Sequence, residues 1–422
     1  MAVETGRHVV IIGAGVIGLS CARSLLRRGF AVTVLDRGPG DAGRDGCSFG
    51  NAGLVTPSHV VPLAAPGMIT RGLRWMADPE GPFAIRARLD PGLARWGWLF
   101  YRASRPARAR AAMPLLLDFS LESRRLFFEW QRELGGFALE PSGLIILYRS
   151  AEAEEEEHRL AEAARSLGLE ARSLTPQQVR ELEPGVELDV RGAVHFPIDC
   201  RMDPRDFLNR LARDVEERGG VLRWGDEVED IAMRNGRVER IYSTGGAVAA
   251  DELLVAGGAW SGRVARKLGL RLPMQAGKGY SLTLERPSQM PRAALLLCEA
   301  RVAVTPMGGK LRFGGTMEVG VFDDRVDMRR VRGIVRSVSG YLPGFGSGDF
   351  RGCPVWTGLR PCSPDGLPYV GRWPGLQNLS IAAGHAMLGL SLAPATGEMI
   401  GAILAGERTA VATELLAPDR YA

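Results

Sequence analysis

Residues 9–22 read VVIIGAGVIGLSCA, and a second apolar run, AVTVLD, ends at Asp36. Four β-branched residues, Val9, Val10, Ile11 and Ile12, have the composition of a buried parallel strand. Gly13, Gly15 and Gly18 then complete GxGxxG, and a helix follows through Leu26. Gly13 permits a tight turn, Gly15 lets the backbone approach a pyrophosphate, and Gly18 lets helix and strand pack closely. The helix N-terminus presents unpaired N–H groups and partial positive charge to the phosphates. Asp36 lies eighteen residues past Gly18, at the end of the next strand, where a carboxylate can accept both ribose hydroxyls. GxGxxG alone is weak. The strand before it, the helix after it and the acid at this distance point to a dinucleotide site; the alternative is a tight strand–helix turn that binds nothing.

A chain of 422 residues is too long for one small core, so two domains are expected. The basic residues are 50 arginines and 3 lysines, a skew that reflects genome composition more than chemistry. The net charge of +5, with acids well mixed in, gives no argument for nucleic acid. Cys21, Cys47, Cys200, Cys298, Cys353 and Cys362 show no CxxC spacing. That speaks against a metal site or a disulfide framework and fits a reducing cytosol. The first apolar run carries the glycine turn and is not a signal peptide. Leu379 to Gly397 is nearly uncharged but holds Gly384, Gly389 and Pro394, which suits a buried strand, turn and helix rather than a membrane span.

Further along, 119–134 reads as an amphipathic helix and 151–166 as an acidic helix with a solvated face. Thr175 caps a short helix with Pro176 at its first position. Residues 203–220 form another helix ended by glycines, and Asn235-Gly236 marks a hairpin. LLVAGGAW is a second buried strand running into glycines. Two glycine-ended strands so far apart imply an α/β, Rossmann-like nucleotide domain that is discontinuous, with a sheet-rich second domain inserted (α+β overall).

The first fingerprint fits NAD or FAD; three later segments favour FAD. VAGGAWS (255–261) looks like the strand end of flavoproteins. WTGLRPCSPDGLPYVG (356–371) and AAGHAMLGLSLAPATGEMIGAIL (382–404) resemble the C-terminal signature of the D-amino-acid oxidase superfamily. GNAGLVTPSHVVPLAAPG (50–67), GKGYSLT (277–283) and the stretch 301–319 are similar to the D-amino-acid dehydrogenase branch, and the C-terminal stretch also to glycine oxidase. The resemblance implies FAD-binding segments 1–60, 190–265 and 352–422, with substrate or cap segments 61–189 and 266–351.

It also implies roles. Val16 and Ile17 lie in the pyrophosphate turn, Asp36 and Arg37 at the adenosine ribose, and Val228 beside the adenine. Gly257 belongs to the second glycine-ended strand. Cys47, Ser48, Ala52, Gly53 and Leu54 lie along the ribityl chain and flavin. His385, Met387, Leu388, Gly389, Leu390 and Ser391 pass under the flavin's pyrimidine end, and the following helix aims its N-terminus there. Such a terminus stabilises a reduced flavin's charge by roughly 0.3–2 kcal/mol. Glycine oxidase has an arginine where this chain has Met387, whose apolar side chain would widen the pocket and argues against a glycine-like substrate. Sarcosine oxidases tether the flavin through a cysteine where this chain has Gly358. Cys362 is out of register, so non-covalent FAD is expected.

Arg360, in GLRP, matches the carboxylate-binding arginine of glycine oxidase. The chemistry agrees independently, because a planar fork fixes a carboxylate in two contacts while the α-hydrogen faces the flavin. Pairing of Arg360 with Asp365 or a carbonyl is the structural alternative. Tyr280 and His385 are further catalytic candidates. Tyr280 either faces the substrate or packs in a strand, and His385, like His59, is either a base or a satisfied structural histidine. No paired carboxylates or Ser–His–Asp set is legible.

The resemblance implies FAD-dependent hydride abstraction from the α-carbon of a D-amino acid or cyclic imino acid such as a D-proline, with electrons passing to a quinone or other acceptor. The alternatives are a glycine- or sarcosine-type oxidase and a flavin-carrying subunit of a larger complex. Residues 62–114 interleave aromatics with nine arginines between Arg71 and Arg110. That composition suits docking on an anionic membrane or an acidic redox partner; core packing is the alternative. A cytoplasmic protein, either free or peripheral on the inner face of the membrane, is expected.

Overall fold

A computed structural model describes residues 6–40, 46–86 and 89–422. Its first sheet has six strands in the order Val221–Trp224, Ala31–Asp36, His8–Ile12, Glu252–Val255, Leu379–Ala383 and Tyr369–Arg372. Neighbours run parallel except the last pair. The central strands are the apolar runs of the sequence and are buried on both faces, as a parallel sheet covered by helices requires. Helix Val16–Arg27 covers one face and is crossed by helix Ala393–Ala405. The crossing is close because it is built on glycine. A Cβ on Gly397 would overlap the Ser20 carbonyl, and one on Gly401 the Ser24 hydroxyl. Leu379–Gly397 is thus a buried strand, turn and helix start. Among the described residues no helix is long and apolar enough to cross a membrane.

The second sheet is mostly antiparallel. Its order is Val355–Cys362, Gln275–Leu284, Lys310–Val319, Val302–Met307, Ala294–Leu297, Leu144–Tyr148, Gly192–Phe196 and Arg172–Leu174, with Phe83–Ile85 joining Lys310–Val319. Gly192–Phe196 and Val355–Cys362 pair here, although the sequence groups 190–265 and 352–422 with the nucleotide domain. Composition cannot reveal which sheet a strand joins, because the pairing is long-range.

Local signals hold where they are chemical. Thr175 and Gln178 form a capping box, with Pro176 in the first turn. Asn235 and Gly236 take φ of 51° and 72° between two antiparallel strands, as a two-residue hairpin turn demands. The helix expected over 119–134 begins earlier, at Pro106, and runs to Glu133 with Pro114 inside it. The acidic helix Ala151–Ser166 is not wholly solvated. Glu157 is buried, its carboxylate accepts from the Cys298 thiol at 3.0 Å, and burial pushes its pKa up.

Candidate active site

A cavity of about 640 Å³ lies along the C-terminal ends of the parallel strands, where open α/β sheets bind ligands. At one end are Gly13, Gly15, Val16, Ile17, Asp36 and Arg37. The three glycines differ in physical role. Gly13 has φ 109°, and a Cβ there would sit 2.6 Å from the Ala256 carbonyl oxygen. A Cβ on Gly18 would overlap the Gly13 carbonyl, so Gly18 serves packing and does not line the cavity. A Cβ on Gly15 would meet nothing within 4 Å, leaving a bare backbone at the helix N-terminus for a phosphate. Asp36 is held by two backbone donors, Ala14 N–H at 2.6 Å and Gly38 N–H at 2.7 Å. Ser48 folds back over the helix start and accepts from Val16 N–H at 3.4 Å.

Val228 and Gly257 also line the cavity, beside Trp224 and Trp260, which the sequence did not single out. The Arg37 guanidinium stacks on Trp260 at 4.1 Å. Trp260 had a signal, since it ends the second glycine-rich strand turn. Trp224 had none: it faces Asp36 only because its strand joins the sheet beside Ala31–Asp36.

At the other end are Cys47, Asn51, Arg360, Pro361, His385, Ala386, Gly389 and Leu390. Arg360 donates from Nη1 to the Thr316 carbonyl at 2.8 Å. Asp365 is taken by Arg420 in a two-point pair, at 2.9 Å for both contacts. Among the described residues Arg360 has no carboxylate partner. His385 is buried, and burial lowers its pKa to about 3, so the ring is neutral. Thr396 gives its hydroxyl proton to the Leu392 carbonyl at 2.8 Å. His385 Nε2 must therefore donate to Thr396 Oγ1, at 3.1 Å. Nδ1 is left as a buried acceptor with no partner. That orphaned acceptor, the bare backbone at Gly15 and the fixed carboxylate of Asp36 fit an extended dinucleotide filling the cavity.

Several expected residues lie elsewhere. Tyr280 is in the substrate-sheet core on the face away from the cavity, and its hydroxyl donates to Glu318. Strand alternation decides this, because its neighbours Gly277 and Gly279 take the Arg360 side. Met387 is about half exposed, at 49%, and does not line the pocket; a left-handed turn at Ala386, φ 48°, precedes it. Leu388 packs against the nucleotide-domain core. Ser391 is buried and accepts from Thr56 N–H at 3.0 Å. Ala52, Gly53 and Leu54 are also off the wall: Ala52 abuts Gly314, Gly53 (φ 72°) packs on Met202, and Leu54 pairs with Arg201. Buried Arg312 holds that loop by donating to Asn51 O at 2.7 Å, and desolvation lowers its pKa to about 10. His59 sits against the Ser58 hydroxyl at 3.3 Å, with burial and Arg301 lowering its pKa to about 4.

The Arg–Trp stretch divides. Trp96 is buried and donates to the Cys362 carbonyl at 2.9 Å. Arg71, Arg74 and Arg86 pair with Glu156, Glu152 and Asp323. Arg88 lies outside the described residues. Trp98, Tyr101, Arg102 and Arg105 are exposed on or just beyond helix Pro91–Ala103.

A parallel sheet with its glycine turn and a carboxylate at the end of its second strand, joined to a second sheet that brings an arginine to the far end of the same cavity, has the architecture of a dinucleotide-dependent protein of two sheets. Residues 8–403 match the model of the FAD dependent oxidoreductase family, and the chain belongs to that family. It is an FAD-dependent oxidoreductase with a mixed α/β fold. The chain is 31% identical over 420 residues to the D-amino acid dehydrogenase of Paramagnetospirillum magneticum, covering 98% of each. It is 32% identical to that of Cereibacter sphaeroides, covering 98% of this chain and 95% of the relative. Among solved structures, glycine oxidase from Geobacillus kaustophilus aligns with a TM-score of 0.79 at 24% identity, over 99% of this chain and 100% of that one. L-proline dehydrogenase from P. horikoshii gives 0.74 at 19%, over 99% and 98%. At these identities the structures speak for the fold.

Proposed function

We propose that the protein oxidises the α-carbon of a D-amino acid, or of a cyclic imino acid of D-proline type, as an FAD-dependent dehydrogenase. One observation carries this reading. Arg360, a guanidinium in the cavity wall, is held by a carbonyl and has no carboxylate partner among the described residues. A planar fork in that state suits a substrate carboxylate. The names of the relatives at 31–32% identity support the same substrate class.

FAD, when bound, would supply the two-electron oxidant for hydride removal from the α-carbon, which leaves the neutral amine as an iminium. Arg360 holds the carboxylate and so sets which face of the α-carbon is presented. Val16, Ile17, Asp36 and the Gly15 backbone hold the dinucleotide; Cys47, Ser48, Gly389 and Leu390 line the cavity between its two ends. Burial leaves His385 a weak base whose Nε2 is engaged by Thr396, so we assign it no proton transfer and take the reacting amine as neutral. The imine leaves for hydrolysis, and a cyclic product remains a pyrroline. Cys362 is buried with its thiol pKa pushed up to about 12, and Gly358 offers no nucleophile, which supports non-covalent FAD.

Anaerobic mixing with a panel of D-amino acids and D-proline tests the reading: the flavin absorbance should bleach. No bleaching by any member would leave a flavin-carrying subunit, and stoichiometric peroxide in air would make the protein an oxidase. Arg360→Leu should keep its flavin and raise the half-saturating substrate concentration roughly tenfold to a hundredfold, the loss of a charge-assisted pair.

A further inference from the structure

The guanidinium of Arg360 crosses an entire strand. Arg360 lies on Val355–Cys362, and its ladder partner on the adjacent strand Gln275–Leu284 is Gly277. Yet Nη1 reaches Thr316 O at 2.8 Å, on Lys310–Val319, one strand further. The side chain passes over the middle strand at Gly279. A Cβ built there would overlap Nη1, Cζ and Nη2 of Arg360. Gly279 is not among the residues with positive φ, so its backbone does not require glycine; what it supplies is space.

The far side of the crossing is shaped too. Lys278 pairs with Glu318, but Tyr280 pairs with Gly315, so three steps on one strand meet two on the other. This is a β-bulge, which re-aims backbone groups out of the ladder. Within it Thr316 takes φ 66°, one of four non-glycine residues with positive φ among those described. Its carbonyl is thereby free to hold the guanidinium.

We infer that Gly279 and the Thr316 bulge form a seat for the Arg360 guanidinium, and that Gly279 is a positioning residue for carboxylate recognition. This rests on the reading of Arg360 above. A guanidinium laid flat over Gly279 and tethered at Nη1 has one plane available, so its remaining N–H groups meet a carboxylate in one orientation. A side chain at 279 lifts it out of that plane.

A double-mutant cycle tests the seat. The enzyme is read by half-saturation with D-alanine and D-proline, by benzoate titration of the flavin spectrum, and by flavin content. Gly279→Ala should raise half-saturation and the benzoate dissociation constant about tenfold or more, with flavin content unchanged. In the Arg360→Leu background the same change should have no effect on either. If Gly279→Ala weakens benzoate equally in both backgrounds, or in neither, the seat is overturned while Arg360 keeps its role. If Arg360→Leu alone leaves both constants unchanged, it is the substrate reading that fails. Should Gly279→Ala not accumulate as flavoprotein, the double variant G279A/R360A, with no guanidinium to displace, should recover its flavin; failure to recover it overturns the seat.

Discussion

The two ends of the cavity are built in opposite ways. The nucleotide end comes largely from one continuous segment: glycines 13, 15 and 18 and Asp36 sit within 24 residues, and the geometry follows from a strand, a turn and a helix. The other end, where we place the substrate, is lined by Arg360 and His385, with Gly279 and Thr316 against Arg360, and an antiparallel sheet and the last strand–helix turn gather these from distant parts of the chain. Local chemistry specifies the first and long-range register the second. Damage at the nucleotide end should therefore remove the cofactor or the fold, while damage at the substrate end should leave a coloured protein with a poor substrate constant.

The largest effect should come from Gly18→Ala. Its Cβ would overlap the Gly13 carbonyl, which is backbone and cannot rotate away. Overpacking of this kind costs about 1–3 kcal/mol or more and displaces the phosphate turn. The expected outcome is protein without flavin and with a lowered melting temperature. A variant with full flavin content would show that the turn is less rigid than its packing implies.

Asp36→Ala should follow. It removes the acceptor we propose for the ribose and also releases Ala14 N–H and Gly38 N–H. Leaving such donors unpaired and losing charged hydrogen bonds costs about 1–3 kcal/mol, read as a ten- to hundredfold weaker FAD dissociation constant. An unchanged constant would move the ribose away from Asp36.

What could be read from the sequence divides along the same line. The Gly13–Asp36 segment was legible because each residue has a local reason: φ, close packing, or a strand end. The capping box at Thr175 and the turn at Asn235-Gly236 were legible for the same reason. Arg360 was singled out as a position only through resemblance, since nothing local distinguishes it from 49 other arginines; the structure places it in the cavity wall. Tyr280 stayed open between substrate and strand packing because its side depends on strand register, where one residue exchanges the two faces; the structure packs it in the strand core. The bulge at Thr316 and the seat at Gly279 could not be read at all. GKG is a glycine pair in a strand until the strand beside it is known.

The third effect is a pH dependence at the Arg360 end, set by His385. Burial lowers the His385 pKa from 6.5 to about 3. The unfolded chain therefore binds a proton that the folded one refuses. Stability from this group is complete above about 6.5 and is lost as pH falls towards 3. Melting curves of the wild type and His385→Gln should diverge below about pH 6.5, the variant losing less, with the gap levelling near pH 3. Parallel curves would mean that the ring is solvated. The rate profile tests the same group, because a limb set by the substrate amine should persist in the variant.

The smallest effect concerns the outer layer, which belongs to neither end. Of the nine arginines between Arg71 and Arg110, three are already paired with acids, and Arg95 and Arg108 hydrogen-bond Tyr421. The first three have their charge balanced within the protein, and the other two have a guanidinium nitrogen engaged by Tyr421. The face that keeps the composition for an anionic surface is narrower: Trp98, 54% exposed, and Tyr101, 64% exposed, beside Arg102, whose guanidinium stacks on Trp98 at 4.7 Å. Arg105 and Arg110 are exposed nearby in sequence. Basic residues near an anionic leaflet contribute roughly 1 kcal/mol each, and an indole at the headgroup level adds to that. Three arginines give only weak binding, screened as the Debye length shrinks. We expect cosedimentation with phosphatidylglycerol vesicles at low salt, release at high salt, and loss on Trp98→Ala with Arg102→Ala, while anaerobic bleaching stays unchanged. Binding that ignores salt, or that survives the double variant, would move any surface contact off this helix; no binding at low salt would leave these side chains as ordinary solvent-facing residues.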